Sequence, residues 1–323
     1  MRYVKLLMIL SCIAISAGCV EEKKEVVKKT FGDDLAFLKQ HTEVVILSDT
    51  SGNGQVAILP AMQGRAMTST AEGLDGLSFG WINRELISSG KIAEHINVYG
   101  GEDRFWIGPE GGQFSIFFKK DVPFDLEHWF TPAPIDTESF ELVSKSKNSA
   151  ILKKDMQLEN FSGTIFNLRA DREVRVLERS EAVEALEITP ARTVKMVAFE
   201  SNNKVTNTGT KAWEKETGLL SIWILGMFNP SPTTTIVVPF NTGPKEELGP
   251  IVNDAYFGKV PADRLVVKDG VMFFSGDGQY RSKIGLSPQR SKPILGSYDI
   301  VNKVLTIVQY NKPEMAADYV NSM

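Results

Sequence analysis

The amino-acid sequence predicts an all-β fold of mainly antiparallel strands with a few short helices. Three observations predict it. Roughly fifteen short runs rich in Val, Ile, Leu and Phe follow one another at close spacing, each about the length of a strand. Turn residues punctuate them, as in "TSGNG" at Thr50–Gly54, "KDG" at Lys268–Gly270 and "VNK" at Val301–Lys303, which are tight reversals by their chemistry. Only two stretches carry a helical pattern. Such an order gives antiparallel sheets stacked as a sandwich or closed as a barrel. The lack of a repeat period argues against a propeller.

In chain order, "DDLAFLKQH" predicts a short helix with Asp33 or Asp34 as its N-cap. "EVVILSD" and "QVAILP" flank the first reversal and form a hairpin. Strands are then predicted at "FSIFF", "SFELVSK", "SAILKKDMQLEN", "GTIFNLRA" and "EVRVLE". "ERSEAVEALEI" predicts a second helix capped by Ser180. The remaining strands are "VKMVAFES", "GLLSIWILGMF", "TTIVVPF", "DRLVVK", "GVMFFS", "YRSKIGLS", "ILGSYDIV" and "KVLTIVQY". Trp223 lies in a continuous apolar run, which predicts burial between sheets. The Pro-rich loops "FTPAPIDTE" and "FNPSPTTT" are too short to divide domains. Residues 34–323 therefore read as one large β domain.

The N-terminus points to the cell envelope. Arg2 and Lys5 precede the apolar run "LLMILSCIAIS", which is short for a membrane-spanning helix of about 20 residues. "SAGC" follows at Ser16–Cys19. Residues 1–18 read as a signal peptide, and the ending resembles a bacterial lipobox, which implies lipid on Cys19. An ordinary secretory signal cut nearby is the alternative. Residues 19–33 are rich in charge and read as a solvated tether. The acidic pair Glu21 and Glu22 resembles the export tag of some surface lipoproteins. The chain holds two cysteines, Cys12 in the leader and Cys19, so no disulfide or thiolate metal site is expected. It carries 36 basic and 40 acidic residues. A mild acidic excess argues against nucleic acid, which requires a basic stripe.

One stretch concentrates charge, aromatic surface and bendable backbone: "GGEDRFWIGPEGG" at Gly100–Gly112. Arg104 and Trp106 alternate along a strand, so both point one way. Planar polar groups that bond hydroxyls, set beside aromatic faces that cover ring surfaces, suit a sugar. Asn83, Arg84, Glu102, Arg104 and Trp106 fit that description, and Arg281 and Lys283 alternate downstream on a further predicted strand. A structural alternative has Arg104 paired with Glu110 or Glu102 to close a loop. His128, in "LEHWFTPAP", is a candidate acid–base group beside a carboxylate. A metal site would need all three histidines together, and His41, at the end of the first helix, makes that unexpected. No phosphate loop, dinucleotide fingerprint or Ser–His–Asp order is present, so no cofactor is expected.

The order of these motifs resembles the galactose mutarotase (aldose 1-epimerase) superfamily over residues 43–310. "AILPAMQGRAMTS", with Pro60, Gly64 and Arg65, stands for its first strand. Asn83 and Arg84 stand for its "NR" pair, and "VYGG" stands where "LHGG" is expected. The "GG-x-x-R-x-W-x-x-PE" phrase is similar to uncharacterised bacterial lipoproteins of this superfamily. "NKVTNTGTKAW" and "SKIGLSPQ" resemble later strands. The resemblance implies a galactose mutarotase-like β-supersandwich with a sugar-sized groove. It also implies lost mutarotase chemistry. Tyr99 replaces the histidine before the glycines, no histidine follows His128, and Ser287 stands where the base glutamate belongs. Tyrosine titrates near 10 and is a poor shuttle at neutral pH.

The expected protein is thus a lipid-anchored envelope protein that binds a carbohydrate, with altered sugar chemistry at Tyr99, Glu102, Glu110 or His128. Two alternatives stand beside it. One is a noncatalytic glycan-capture lipoprotein. The other is a scaffold that binds another protein and exposes a large apolar patch.

Overall fold

The computed structural model of the chain describes residues 29–314. The signal peptide, Cys19 and residues 19–28 of the tether lie outside the described residues. Among the described residues the fold holds fourteen strands and five α-helices, and every strand pair is antiparallel. The all-β prediction is met.

Helix α1 (Phe31–His41) starts earlier than its sequence suggests. Thr30, not Asp33 or Asp34, is the N-cap, and Asp33 returns the bond to the Thr30 amide as a capping box. The fold therefore includes the last residues of the predicted tether. Strands β1 (Val45–Ser48), β2 (Gln55–Leu59) and β3 (Arg65–Thr70) form a three-stranded sheet. The "TSGNG" reversal sets the β1–β2 register, with Ser48 opposite Gln55. Strand β2 alternates between two cores. Val56 and Ile58 join the main core, whereas Leu59 packs with Leu38 of α1, and Ala57 with Phe31 and Leu35. A period of two divides one strand between two layers. Helix α2 (Arg84–Ser89) follows, capped by Asn83 and closed by Gly90 in the left-handed region.

Strand β4 (Arg104–Gly108) is fully buried and pairs with β9 (Ser221–Leu225). Helix α3 (Ala133–Asp136) lies inside the loop "FTPAPIDTE". Strands β5 (Glu141–Lys145), β6 (Ser149–Glu159), β7 (Ile165–Val176) and β8 (Phe199–Asn207) form a four-stranded sheet in sequence order. The two runs "GTIFNLRA" and "EVRVLE" are one continuous strand, β7. Its inward row is Phe166, Leu168, Ala170, Arg172, Val174 and Val176, all buried. This row meets the main core with Val45, Leu47, Phe105, Ile107 and Phe140. The segment "FSIFF" is not a strand, yet Ile116, Phe117 and Phe118 are buried in the same core. An apolar run marks burial and cannot by itself distinguish a strand from a packed loop. Helix α4 (Arg179–Ala185) is capped by Glu178 with Glu181, not by Ser180.

The C-terminal part builds a five-stranded sheet in the order β11-β12-β10-β13-β14. It comprises β10 (Thr234–Pro239), β11 (Leu265–Lys268), β12 (Val271–Ser275), β13 (Ile294–Asp299) and β14 (Val304–Gln309). Helix α5 (Lys245–Leu248) interrupts it after β10. Asp269 and Gly270 take positive φ in the "KDG" turn, and Lys303 does so after "VN", as tight reversals require. The predicted strand "YRSKIGLS" is irregular, with one bridge from Gly285 to Asn253.

Candidate functional site

The β4–β9 pair supports the site. Arg104 stands opposite Leu225 and Trp106 opposite Trp223, so these side chains share one face. The Arg104 guanidinium lies 4.2 Å from the centre of the Trp106 ring, as the alternation predicts. Trp106 is 1% exposed, and its indole N–H donates to Glu110 Oε1 at 2.8 Å. The short loop after β4 thus returns Glu110 to the tryptophan four residues behind it. Trp223 is not buried between sheets. It is 36% exposed, and the Lys283 ammonium stands 5.6 Å from its ring and 4.2 Å from that of Tyr256. Tyr256 meets Phe257 edge-on at 4.6 Å, and Arg281 covers Phe257 at 4.3 Å. Both downstream cations therefore reach the aromatic cluster, although the segment carrying them is no strand.

Beneath this surface lies a buried polar layer. Arg104 pairs with Asp136 at 2.7 Å, not with Glu110 or Glu102. Asp136 also accepts from the Asn97 amide at 3.1 Å and from Asn97 Nδ2 at 2.7 Å. Arg65 is fully buried. It donates only to neutral acceptors, the Gly100 carbonyl at 2.7 Å and Gln63 Oε1 at 3.0 Å. The Nε atoms of Arg65 and Arg104 are buried without a hydrogen-bond partner. Burial, then the nearby Arg104, pulls Arg65 well below its ordinary value. Partial burial, then Asp136, raises Tyr99 above its own, with the Arg65 guanidinium 5.7 Å from its ring. Burial raises the Glu110 carboxyl, opposed by the Trp106 hydrogen bond, Lys283 and Arg104. A carboxyl whose proton affinity is raised by burial, with a hydrogen-bond donor beside it, has the chemistry of a candidate proton-transfer group.

Glycine is required at Gly100 and Gly101. Both take positive φ, and a Cβ would stand 2.0 Å from the Trp81 carbonyl oxygen at Gly100 and 2.5 Å from Arg65 Cδ at Gly101. The paired glycines let the chain pass over Arg65 and bridge Ile82.

The other predicted residues are engaged elsewhere. Glu102 is 7% exposed and accepts from the Ser69 amide at 2.6 Å and its hydroxyl at 2.8 Å. Burial pushes its carboxyl up to about 7. Asn83 caps α2 and donates to the Val98 carbonyl at 3.0 Å. Arg84 pairs with the buried Asp34 of α1 and covers Phe37 at 4.5 Å. Its role is to clamp α1 to α2. His128 finds its carboxylate in Asp125, Nδ1 to Oδ1 at 2.6 Å, on an exposed turn. Ser287 donates to the Leu248 carbonyl at 2.9 Å. The depressions on the five-stranded sheet, one beside Phe240 and Lys292 and one beside Arg264 and Phe273, include none of the predicted site residues. Among the described residues no group of three His, Cys, Asp or Glu side chains is placed to hold a metal ion.

Sequence reasoning missed Asp136, Asn97, Gln63 and Tyr256. Asp136 sits in a Pro-rich loop that reads as a connector, and nothing local marks it as the partner of Arg104. The available signal was physical: a strand arginine in an apolar run demands a buried acceptor.

No curated protein matches the chain. Among solved structures, the Slr1438 protein from Synechocystis sp. PCC 6803 is similar at 13% identity and a TM-score of 0.36, over 80% of this chain and 73% of its own. The sequence of residues 29–323 matches a family of unknown function, DUF6786, and the chain belongs to that family.

Proposed function

We propose that this protein is a cell-envelope lipoprotein, anchored through Cys19, that binds a carbohydrate on the face of β4 and β9. The observation that carries this is the placement of half-exposed aromatic rings, Trp223 and Tyr256, beside the Trp106–Glu110 hydrogen bond and the Lys283 ammonium. Flat apolar surface flanked by fixed polar groups is the pattern a pyranose ring demands. The resemblance to mutarotases adds to it, with Tyr99 in place of the histidine. Glu110, with its raised carboxyl, is the group for any proton transfer to a bound sugar.

Ligand-observed NMR on residues 20–323 against aldoses, uronic acids and short glycans tests the proposal. Binding is expected, and Trp223→Ala, at an exposed ring, weakens it by about ten-fold, the size of one lost stacking contact. Product peaks that vanish in Glu110→Gln while binding persists make the protein an enzyme. Binding without turnover makes it a capture protein. Silence across the panel overturns the proposal.

One observation favours the scaffold role instead. Register places Val266, Phe273, Val237 and Ile307 in one row across the five-stranded sheet, and Val266, Phe273, Tyr298 and Leu305 are exposed. An apolar sheet face in water is a surface for another protein.

A further inference from the structure

We propose that the ligand of the β4–β9 face is an acidic sugar, a hexuronic acid residue whose carboxylate is held by Lys283 and Arg281 while its ring stacks on Trp223 and Tyr256. This deepens the carbohydrate role above and rests on it. The argument is a balance of charge. Four cations gather at and beneath the face: Arg65, Arg104, Arg281 and Lys283. Two carboxylates lie among them, Asp136 and Glu110.

Asp136 is buried and already accepts from Arg104 and from two donors of Asn97. Glu110 accepts from the Trp106 indole and faces both Lys283 and Arg104, so its one charge offsets only part of theirs. Asp254, the carboxylate nearest Tyr256 along the chain, pairs with Lys259 at 2.9 Å. Arg65 has only neutral acceptors. The cluster therefore carries surplus positive charge, in a chain whose net charge is −4. A local cationic site on an acidic protein selects anionic ligands and draws them in.

The geometry fits a sugar carboxylate in particular. Lys283 stands over the rings of both Trp223 and Tyr256, and Arg281 over Phe257, the ring that abuts Tyr256. Cations held against the aromatic rings meet a carboxylate that projects from a sugar ring seated on the uncovered part of that surface. An arginine fork beside a lysine matches a planar carboxylate.

The test compares one ring in two charge states. Tri-galacturonic acid and its fully methyl-esterified form are titrated against residues 20–323 by calorimetry at pH 7 and low salt, with galactose oligomers as neutral controls. The acid is expected to bind at least ten-fold tighter than the ester. Lys283→Gln and Arg281→Gln, at a half-buried and an exposed position, are expected to bring the acid-to-ester ratio toward one, and 0.5 M NaCl to shrink it. Equal binding of acid, ester and neutral oligomer overturns the acidic-sugar inference and leaves the carbohydrate role standing. A preference that survives both substitutions, or tighter binding of a sulfated or phosphorylated sugar, also overturns it. No binding by any saccharide overturns both.

Discussion

Glu102 is the residue at which burial has a directly measurable consequence. Its carboxyl rises from an ordinary 4.5 to about 7 because it is buried, with Asp103 adding repulsion and the two Ser69 donors opposing. A raised carboxyl means that the folded state holds the proton more tightly than the unfolded chain. Stability is therefore highest below about pH 4.5 as far as this group is concerned, and it is lost as pH rises through about 7. The size of the effect is about 3 kcal/mol. Glu102→Gln keeps an oxygen for the Ser69 amide and removes the charge. It is expected to flatten the stability curve between pH 5 and 8 and to exceed the natural protein at pH 8. Urea denaturation at both ends of that range checks it, and parallel curves for the two proteins would refute it. The same chemistry explains why Glu102 fails as a ligand contact. Its oxygens already serve Ser69. Nothing in "GGEDRFW" shows that Glu102 and Asp103 are both buried, since the glycines break the alternation that fixes direction in a strand.

At the scale of elements, period-two alternation made most of the sheet legible. The hairpins β1–β2, β11–β12 and β13–β14 stand where turn chemistry put them, and β6 and β7 each show one buried face. The failures share a cause. "FSIFF" and "YRSKIGLS" look like strands because they are apolar or alternating, yet their side chains are claimed by packing or by aromatic rings without a ladder. Helices α2, α3 and α5, of six, four and four residues, are too short to display a helical period. Strand β7 offered a signal in the other direction. Its inward row places Arg172 among Leu168, Ala170 and Val174, where a charge needs a partner. The partner is Asp103, which also accepts from the Ser201 hydroxyl at 2.7 Å, while Arg172 donates to the Gly64 carbonyl at 2.9 Å. This network ties β7 to β4 and to the turn before β3. Arg172→Ala leaves Asp103 buried and unpaired, at an expected cost of about 3–5 kcal/mol. The double variant with Asp103→Asn is expected to recover part of that loss. Thermal melts of the two single variants and the double form a cycle, and strict additivity would remove the pair from the account.

For the whole molecule, the two halves are packed to different depths. The main core draws on β1, β2, β4, β6 and β7, with the loop at Ile116–Phe118. The five-stranded sheet stands outside that core cluster: Met272 is buried, with Phe240 just after β10, whereas Val266, Phe273, Tyr298, Leu305 and Val308 are exposed. Sparse burial and solvated ladders give a lower cost of local opening. Hydrogen exchange is therefore expected to run faster across residues 265–275 and 294–309 than across 149–176, and uniform protection would contradict the packing. The same measurement separates the two roles open to the molecule. A sugar on the aromatic platform slows exchange at 221–225, 256–257 and 281–283, around Trp223, Tyr256 and Lys283, and leaves the sheet unchanged. A protein seated on the apolar row slows 265–275 and 294–309 instead, because ladder hydrogen bonds that open to water become covered. The platform and the row are built from different strands, so protection appearing first at one of them assigns the working surface of the fold.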